Sequence, residues 1–197
     1  MQKSLLLVLF FTSLITFAQS KKAAEAFQKN LNQEFADAKK SPLTEEDLAV
    51  FKTLDFFPID ENFIVEATFA KSKNEKSFAM KTTTDRAPLY VKYGEISFVL
   101  NGNNFKLNVY QNLELVKKPG FKNHLFLPFS DLTSGNETYI GGRYIDLEIP
   151  KGKTIIIDFN QAYNPYCAYN YKYSCPIVPM ENDLPIAIKA GVKKFHD

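Results

Sequence analysis

Residues 95–112 read Glu-Ile-Ser-Phe-Val-Leu-Asn-Gly-Asn-Asn-Phe-Lys-Leu-Asn-Val-Tyr-Gln-Asn, and this stretch decides the fold. Ile96, Phe98 and Leu100 share one side of an extended chain, and Phe105, Leu107 and Val109 share one side of the returning chain. Such alternation marks strands with one buried face. Between them, Asn101-Gly102-Asn103-Asn104 supplies residues that tolerate the positive φ of a tight hairpin turn. The unit is an antiparallel hairpin.

The same alternation continues on both sides of it. Upstream, Phe63, Val65, Ala67 and Phe69 interleave with Ile64, Glu66 and Thr68; Phe78 and Met80 mark another strand, and Leu89, Val91 and Tyr93 a third. Downstream, His124–Phe129, Thr138–Ile149 and Lys153–Phe159 read as strands separated by Ser134-Gly135-Asn136 and Pro150-Lys151-Gly152. Gly141-Gly142 predicts a bulge or bend in the second of these. Leu184–Ala190 closes the series as a short last strand, with Pro185 near its start where a missing amide is tolerated. Local turns joining about eight strands predict a mainly β fold, either an antiparallel β-sandwich or a partly open barrel. No strand–helix–strand alternation supports a parallel sheet.

Helices precede the strands. Ala24, Phe27, Leu31, Phe35 and Ala38 are three and four residues apart, so Lys21–Lys40 predicts an amphipathic helix lying across one face of the sheet. Ser41-Pro42 breaks it. Thr44 followed by Glu45, Glu46 and Asp47 then predicts a capped second helix carrying Leu48, Phe51 and Leu54.

Ahead of these lies an export pattern. Lys3 gives a positive start, Leu5–Phe11 an apolar core, and Thr16-Phe17-Ala18 a cleavage site with small residues where a signal peptidase reads. Gln19, Ser20, Lys21 and Lys22 arrive too soon for a spanning helix, which needs roughly 20 apolar residues. The expected division is a signal peptide at 1–18, an N-terminal helical segment at 19–55 and a β domain at 56–197. The only cysteines are Cys167 and Cys175, so no lipid-bearing Cys follows the cleavage site. The expectation is a periplasmic or secreted protein without stable membrane insertion after cleavage. A formal net charge of +2 argues against nucleic acid as a partner.

One segment departs from the pattern. Asn160–Asp183 has little periodicity but holds Tyr163, Tyr166, Tyr169, Tyr171 and Tyr173, Pro165, Pro176 and Pro179, and both cysteines. Structureless loops this long are functional or disordered, and disordered segments are poor in aromatics. A long ordered Tyr/Pro-rich loop near the C-terminus is therefore predicted. In an exported chain with two thiols, a Cys167–Cys175 disulfide is the default. A redox pair lacks the Cys-x-x-Cys spacing, and zinc would need four ligands where only His124 and His196 can add nitrogen. No metal is predicted, and no cofactor is specified.

Polar residues cluster where strands meet this loop: Glu137, Arg143, Asp158, Asn160, Asn164, Glu181 and Asn182. One reading is a ligand site with Tyr163 in its wall. There Arg143 would grip a carboxylate, phosphate or sugar hydroxyl, and Asp158 or Glu181 would act as acceptor or base. Arg143, Asp158 and Glu181 are then the catalytic candidates. The other reading is scaffolding, in which Asp and Asn side chains satisfy loop amides and a buried Arg–Asp pair does the same. The sequence carries no Gly-x-Ser-x-Gly elbow, no His-Glu-x-x-His and no phosphate-binding glycine loop.

Several runs in the C-terminal half resemble a known family. They are Asp131-Leu132-Thr133-Ser134-Gly135-Asn136-Glu137-Thr138-Tyr139, Gly142-Arg143-Tyr144-Ile145-Asp146-Leu147 and Ile157-Asp158-Phe159-Asn160-Gln161-Ala162-Tyr163-Asn164-Pro165-Tyr166-Cys167-Ala168-Tyr169. Cys175-Pro176, Pro179-Met180-Glu181-Asn182-Asp183-Leu184-Pro185 and Ala187-Ile188-Lys189-Ala190-Gly191 continue the series, and Phe57-Pro58-Ile59-Asp60 extends it upstream. From Phe51 to Lys194 the chain is similar to DUF1684, a bacterial family without an assigned activity. Many relatives carry an extra N-terminal β region with a Gly-Leu-His-Trp-like motif, where this chain has the Lys21–Lys40 helix. The resemblance also implies that the cysteine pair occurs without an export signal, which keeps metal or redox use open. The expected function is a small extracytoplasmic domain that binds a small molecule or an envelope component. The alternatives are a hydrolase acting on an envelope or nutrient molecule and a structural envelope protein.

Overall fold

The computed structural model describes residues 9–196, with side chains from Lys21 onward. Of the expected signal peptide, residues 1–8 lie outside the described residues, and over 9–18 only backbone is described. No helix among the described residues is long and apolar enough to cross a membrane.

The elements are α1 (Leu9–Ala36), α2 (Glu45–Val50), β1 (Ile64–Lys71), β2 (Phe78–Ala79), β3 (Leu89–Leu100), β4 (Asn103–Asn112), β5 (His124–Asp131), β6 (Arg143–Glu148), β7 (Thr154–Asp158) and β8 (Asp183–Leu184). The strands form one curled sheet in the order β6-β5-β4-β3-β1-β7, a half-barrel rather than a sandwich. β2 extends it by pairing with β3. β8 pairs with β5 in parallel, while the other ladders are antiparallel.

The β3–β4 hairpin turns on two residues, Asn101 at φ 50° and Gly102 at φ 76°, with Leu100 opposite Asn103. Positive φ at both central positions is what matches the turn to the twist of its strands. Leu89–Tyr93 and the first arm of the hairpin are one strand, not two. The register passes from Lys92 opposite Tyr110 to Gly94 opposite Val109, and this bulge bends a continuous β3.

Alternation sets the two faces. Leu125, Leu127 and Phe129 of β5 join Ile96, Leu107 and Ile145 in the main core. Phe126 and Tyr144 point the other way, into a second cluster with Met80, Tyr90 and Tyr110. β5 is consequently buried on both faces over Leu125–Phe129. The long C-terminal loop is what covers the second face. Fully burying one such side chain contributes about 1.5–3 kcal/mol, so β5 is the central beam of the domain.

Three further expectations are revised. β6 begins at Arg143, because residues 138–142 are drawn into tight turns closed by Gly135 N–H to Thr138 C=O (3.0 Å) and Gly142 N–H to Tyr139 C=O (3.0 Å). Gly142 sits at φ 82°, and a Cβ there would lie 2.5 Å from the Phe129 carbonyl oxygen. The last strand is only Asp183–Leu184, because further along the Ile188 amide and carbonyl bond side chains instead of a strand. Finally, α1 does not lie across the sheet. Phe35 packs edge-on to Tyr169 (4.7 Å between centroids) and near Tyr166, and Gln28 donates to the Asn160 carbonyl at 3.3 Å. α1 lies on the loop, and its stripe ends at Phe35, leaving Ala38 exposed. α2 begins as predicted, with Thr44 Oγ1 accepting from the Asp47 amide at 3.1 Å.

Candidate functional site

The polar residues expected at the strand ends are not gathered around one opening. Arg143 is completely buried and donates to Asp131 (2.8 Å), the Ile188 carbonyl (2.8 Å) and the Ala190 carbonyl. Burial pushes the guanidinium pKa down, and Asp131 partly restores it. Asp158 caps the turn after β7, accepting from the Asn160 amide (3.0 Å), Asn160 Nδ2 (2.8 Å) and Gln161 Nε2 (3.0 Å). Asn160 holds the Asp60 backbone on both sides, accepting its N–H at 2.9 Å and donating to its C=O at 3.0 Å. Asn182 does the same for Asn108, with a third bond to the Pro128 carbonyl at 2.6 Å. Asn164 donates to the Lys193 carbonyl at 2.8 Å. These side chains stand in for sheet partners that the irregular loop lacks. Glu181 is exposed on a turn, and Glu137 pairs with Lys189 at the surface.

Of the expected ligand residues, Tyr163 lines the pocket on the outer face of the sheet. Its backbone pairs with Tyr144 in both directions (2.9 and 3.0 Å), which fastens the loop along the open edge of β6. Farther on, Cys175 N–H donates to Thr83 Oγ1 (3.1 Å), Thr83 N–H to the Cys175 carbonyl (2.9 Å) and Ile177 N–H to the Lys81 carbonyl (2.9 Å). The loop is thus pinned at both ends over the outer face of the sheet. Between the pins it leaves a half-open pocket of about 600 Å³.

The pocket has three sides. Tyr90, Phe126 and Tyr144 of the sheet form its floor; Tyr163, Tyr166, Tyr173 and Pro176 of the loop form one wall; Phe27, Leu31 and Glu34 of α1 form another. At its edge, Asp146 lies 2.9 Å from His124 Nε2 and accepts the Tyr163 hydroxyl at 3.0 Å. His124 and Asp146 share the outer face because Phe126, directly opposite Asp146 across the ladder, lies two residues from His124 on the same strand. Tyr166 donates to Glu34 at 3.1 Å. Burial, then the Asp146 charge, holds the Tyr163 phenol well above its ordinary pKa, and burial with Glu34 pushes Tyr166 to about 12. Burial also raises Tyr144, whose hydroxyl donates to the Pro176 carbonyl.

Sequence reasoning passed over His124 as a binding residue, and Tyr144, Asp146 and Glu34 altogether. The available signal was strand parity, since His124 and Asp146 alternate with core residues on their strands. What parity lacks is the cross-strand register that brings them together.

The expected disulfide is not formed. Cys167 and Cys175 are buried free thiols, not at disulfide distance. Cys175 Sγ instead accepts the Cys167 amide at 3.1 Å, and the Tyr139 hydroxyl lies 3.9 Å from Cys167 Sγ. The hydrogen bond from Cys175 pulls the Cys167 thiol down to about 6, and the same bond pushes Cys175 up. Backbone bonds at Tyr166–Asn170 and Thr83–Cys175 close the loop without a covalent clamp. Among the described residues, no three His, Cys, Asp or Glu side chains converge as a metal site.

Comparison with known proteins places this geometry in a family. Residues 49–193 match the family model described as protein of unknown function (DUF1684). The chain is also similar to an uncharacterised protein of Haloarcula marismortui solved by solution NMR, at 32% identity and a TM-score of 0.70, over 89% of this chain and 95% of that one. No curated protein matches.

Proposed function

The chain belongs to the DUF1684 family, and from that premise we propose that it binds a small molecule in the pocket between sheet, α1 and loop. The observation that carries this reading is the pocket itself. Its volume of about 600 Å³ falls inside the ~300–1,000 Å³ range of small-molecule sites. Its lining has the matching character, mostly aromatic with a few placed polar groups. A hydrolytic role through Arg143, Asp158 and Glu181 has no comparable support, because the first two are occupied inside the scaffold and none of the three lines the pocket.

The test is mass spectrometry of small molecules released on denaturing the protein purified from its native host. One compound is expected at near-equimolar amount, and it should be lost from a Leu115→Trp variant, which fills the pocket. Release of nothing from the wild-type protein, or equal release from the folded variant, would overturn the reading.

The proposal extends to location outside the cytoplasm. It is supported by the Lys3, Leu5–Phe11 and Thr16-Phe17-Ala18 pattern. Cleavage after Ala18 would spare the helical face from Ala24 to Phe35 that packs on the loop. N-terminal sequencing of protein recovered from cell fractions is expected to begin at Gln19 in a non-cytoplasmic fraction. A cytoplasmic chain beginning at Met1 would refute export.

A further inference from the structure

Four hydroxyls that line the pocket already give their hydrogens to protein acceptors. The Tyr144 hydroxyl donates to the Pro176 carbonyl, Tyr163 to Asp146 at 3.0 Å, Tyr166 to Glu34 at 3.1 Å, and Ser174 to Thr82 Oγ1 at 3.0 Å. What these four groups keep for an incoming molecule is acceptor capacity, joined by the carboxylates of Glu34 and Asp146. The Asp146 side chain is 53% exposed, so its oxygens remain open to more than Tyr163 and His124. Around them stand aromatic rings, whose faces carry negative potential.

Among the described residues no lysine or arginine lines the pocket, and the histidine that does, His124, turns its Nε2 to Asp146 at 2.9 Å and leaves a buried Nδ1 without a hydrogen-bond partner. Arg86 stands outside the lining and donates to the Ser174 carbonyl at 2.8 Å. The two carboxylates line the same pocket, Glu34 bonded to Tyr166 and Asp146 to Tyr163 three residues earlier on the loop. Acceptors, ring faces and two carboxylates, without a lysine or arginine among the described lining residues, all favour the same kind of ligand.

We propose that the pocket selects a small organic cation, an ammonium head on an apolar body. The head sits between Asp146 and Glu34 and against Tyr163 and Tyr166, and the body lies over Phe126 and Tyr144. This inference rests on the small-molecule reading above and adds the chemical class.

Three probes of nearly equal shape separate the possibilities: benzylamine, benzyl alcohol and benzoate. Each is titrated into the purified protein by calorimetry, with NMR shifts reporting whether the pocket is the site. Benzylamine is expected to bind about tenfold or more tightly than benzyl alcohol, with benzoate weakest. In Glu34→Gln/Asp146→Asn the advantage of the amine over the alcohol should shrink to within about threefold. Glu34→Gln alone retains an acceptor for Tyr166, so it reports on charge even if the double variant does not fold. It should lose amine affinity by a larger factor than alcohol affinity. Alcohol or benzoate binding in the pocket as tightly as the amine would sink the cation inference and leave the small-molecule reading standing. If no probe shifts pocket resonances, both fail together.

Discussion

Asp131→Ala is expected to remove about 3–5 kcal/mol from the free energy of unfolding, the cost of leaving a buried charge without its partner. Against a total stability of about 5–15 kcal/mol for a domain of this kind, that loss approaches unfolding. Asp131 and Arg143 both have fully buried side chains, 2.8 Å apart. The carboxylate also takes the Thr133 amide (2.9 Å), the Thr133 hydroxyl (2.7 Å) and the Ile188 amide (3.1 Å). The guanidinium, lying 5.2 Å from the Phe129 ring centroid, returns bonds to the Ile188 and Ala190 carbonyls. One ion pair therefore joins the end of β5, the start of β6 and the chain segment that failed to become a strand. Alanine at 131 leaves the cation and several backbone groups unsatisfied. Urea denaturation measures the effect. A loss below about 1 kcal/mol, the value of a surface pair, would mean that water reaches the pair and that this account of it is wrong.

Raising the pH should produce a comparable loss by another route. Seven phenols are held above the ordinary value of 10.0: Tyr90, Tyr110, Tyr139, Tyr144, Tyr163, Tyr166 and Tyr169, each chiefly by burial. The sign follows from proton counting. Below pH 10 both states keep these protons, and the native state suffers nothing. Above it the unfolded chain releases them while the native chain does not, so stability falls as pH rises. Each phenol held back steepens the decline by about 1.4 kcal/mol per pH unit. Tyr139 and Tyr166 release only near 12, and the loss continues to that point. Tyrosinate absorbance should therefore climb in one cooperative step between pH 10 and 12, together with loss of the circular dichroism of the sheet. Smooth ionisation near pH 10 with the sheet intact would show these phenols to be solvated.

Much of the architecture was legible because it is local. Alternation at Ile96, Phe98 and Leu100 names a strand and its inner face, and Asn101-Gly102 names the turn. The half-barrel with its N-terminal helix follows from such features. The role of Arg143 was half legible. It shares parity with Ile145, which places it on the core side of β6, but nothing nearby reveals that Asp131 and the 188–190 backbone await it there. The pocket was not legible, because its pieces are far apart in sequence. His124 meets Asp146 only through the β5–β6 register, and Glu34 meets Tyr166 across 132 residues. The bridge expected at Cys167 and Cys175 was inferred from compartment and count, which carry no information about where each sulfur points.

That 132-residue separation has a consequence in time. The helix that walls the pocket is made well before the tyrosines it rests on. A chain still emerging from a ribosome or threading a pore has one wall of the pocket without the other. On the proposed reading, ligand capture waits for both walls, so an occupied pocket also reports that helix and loop have been brought together.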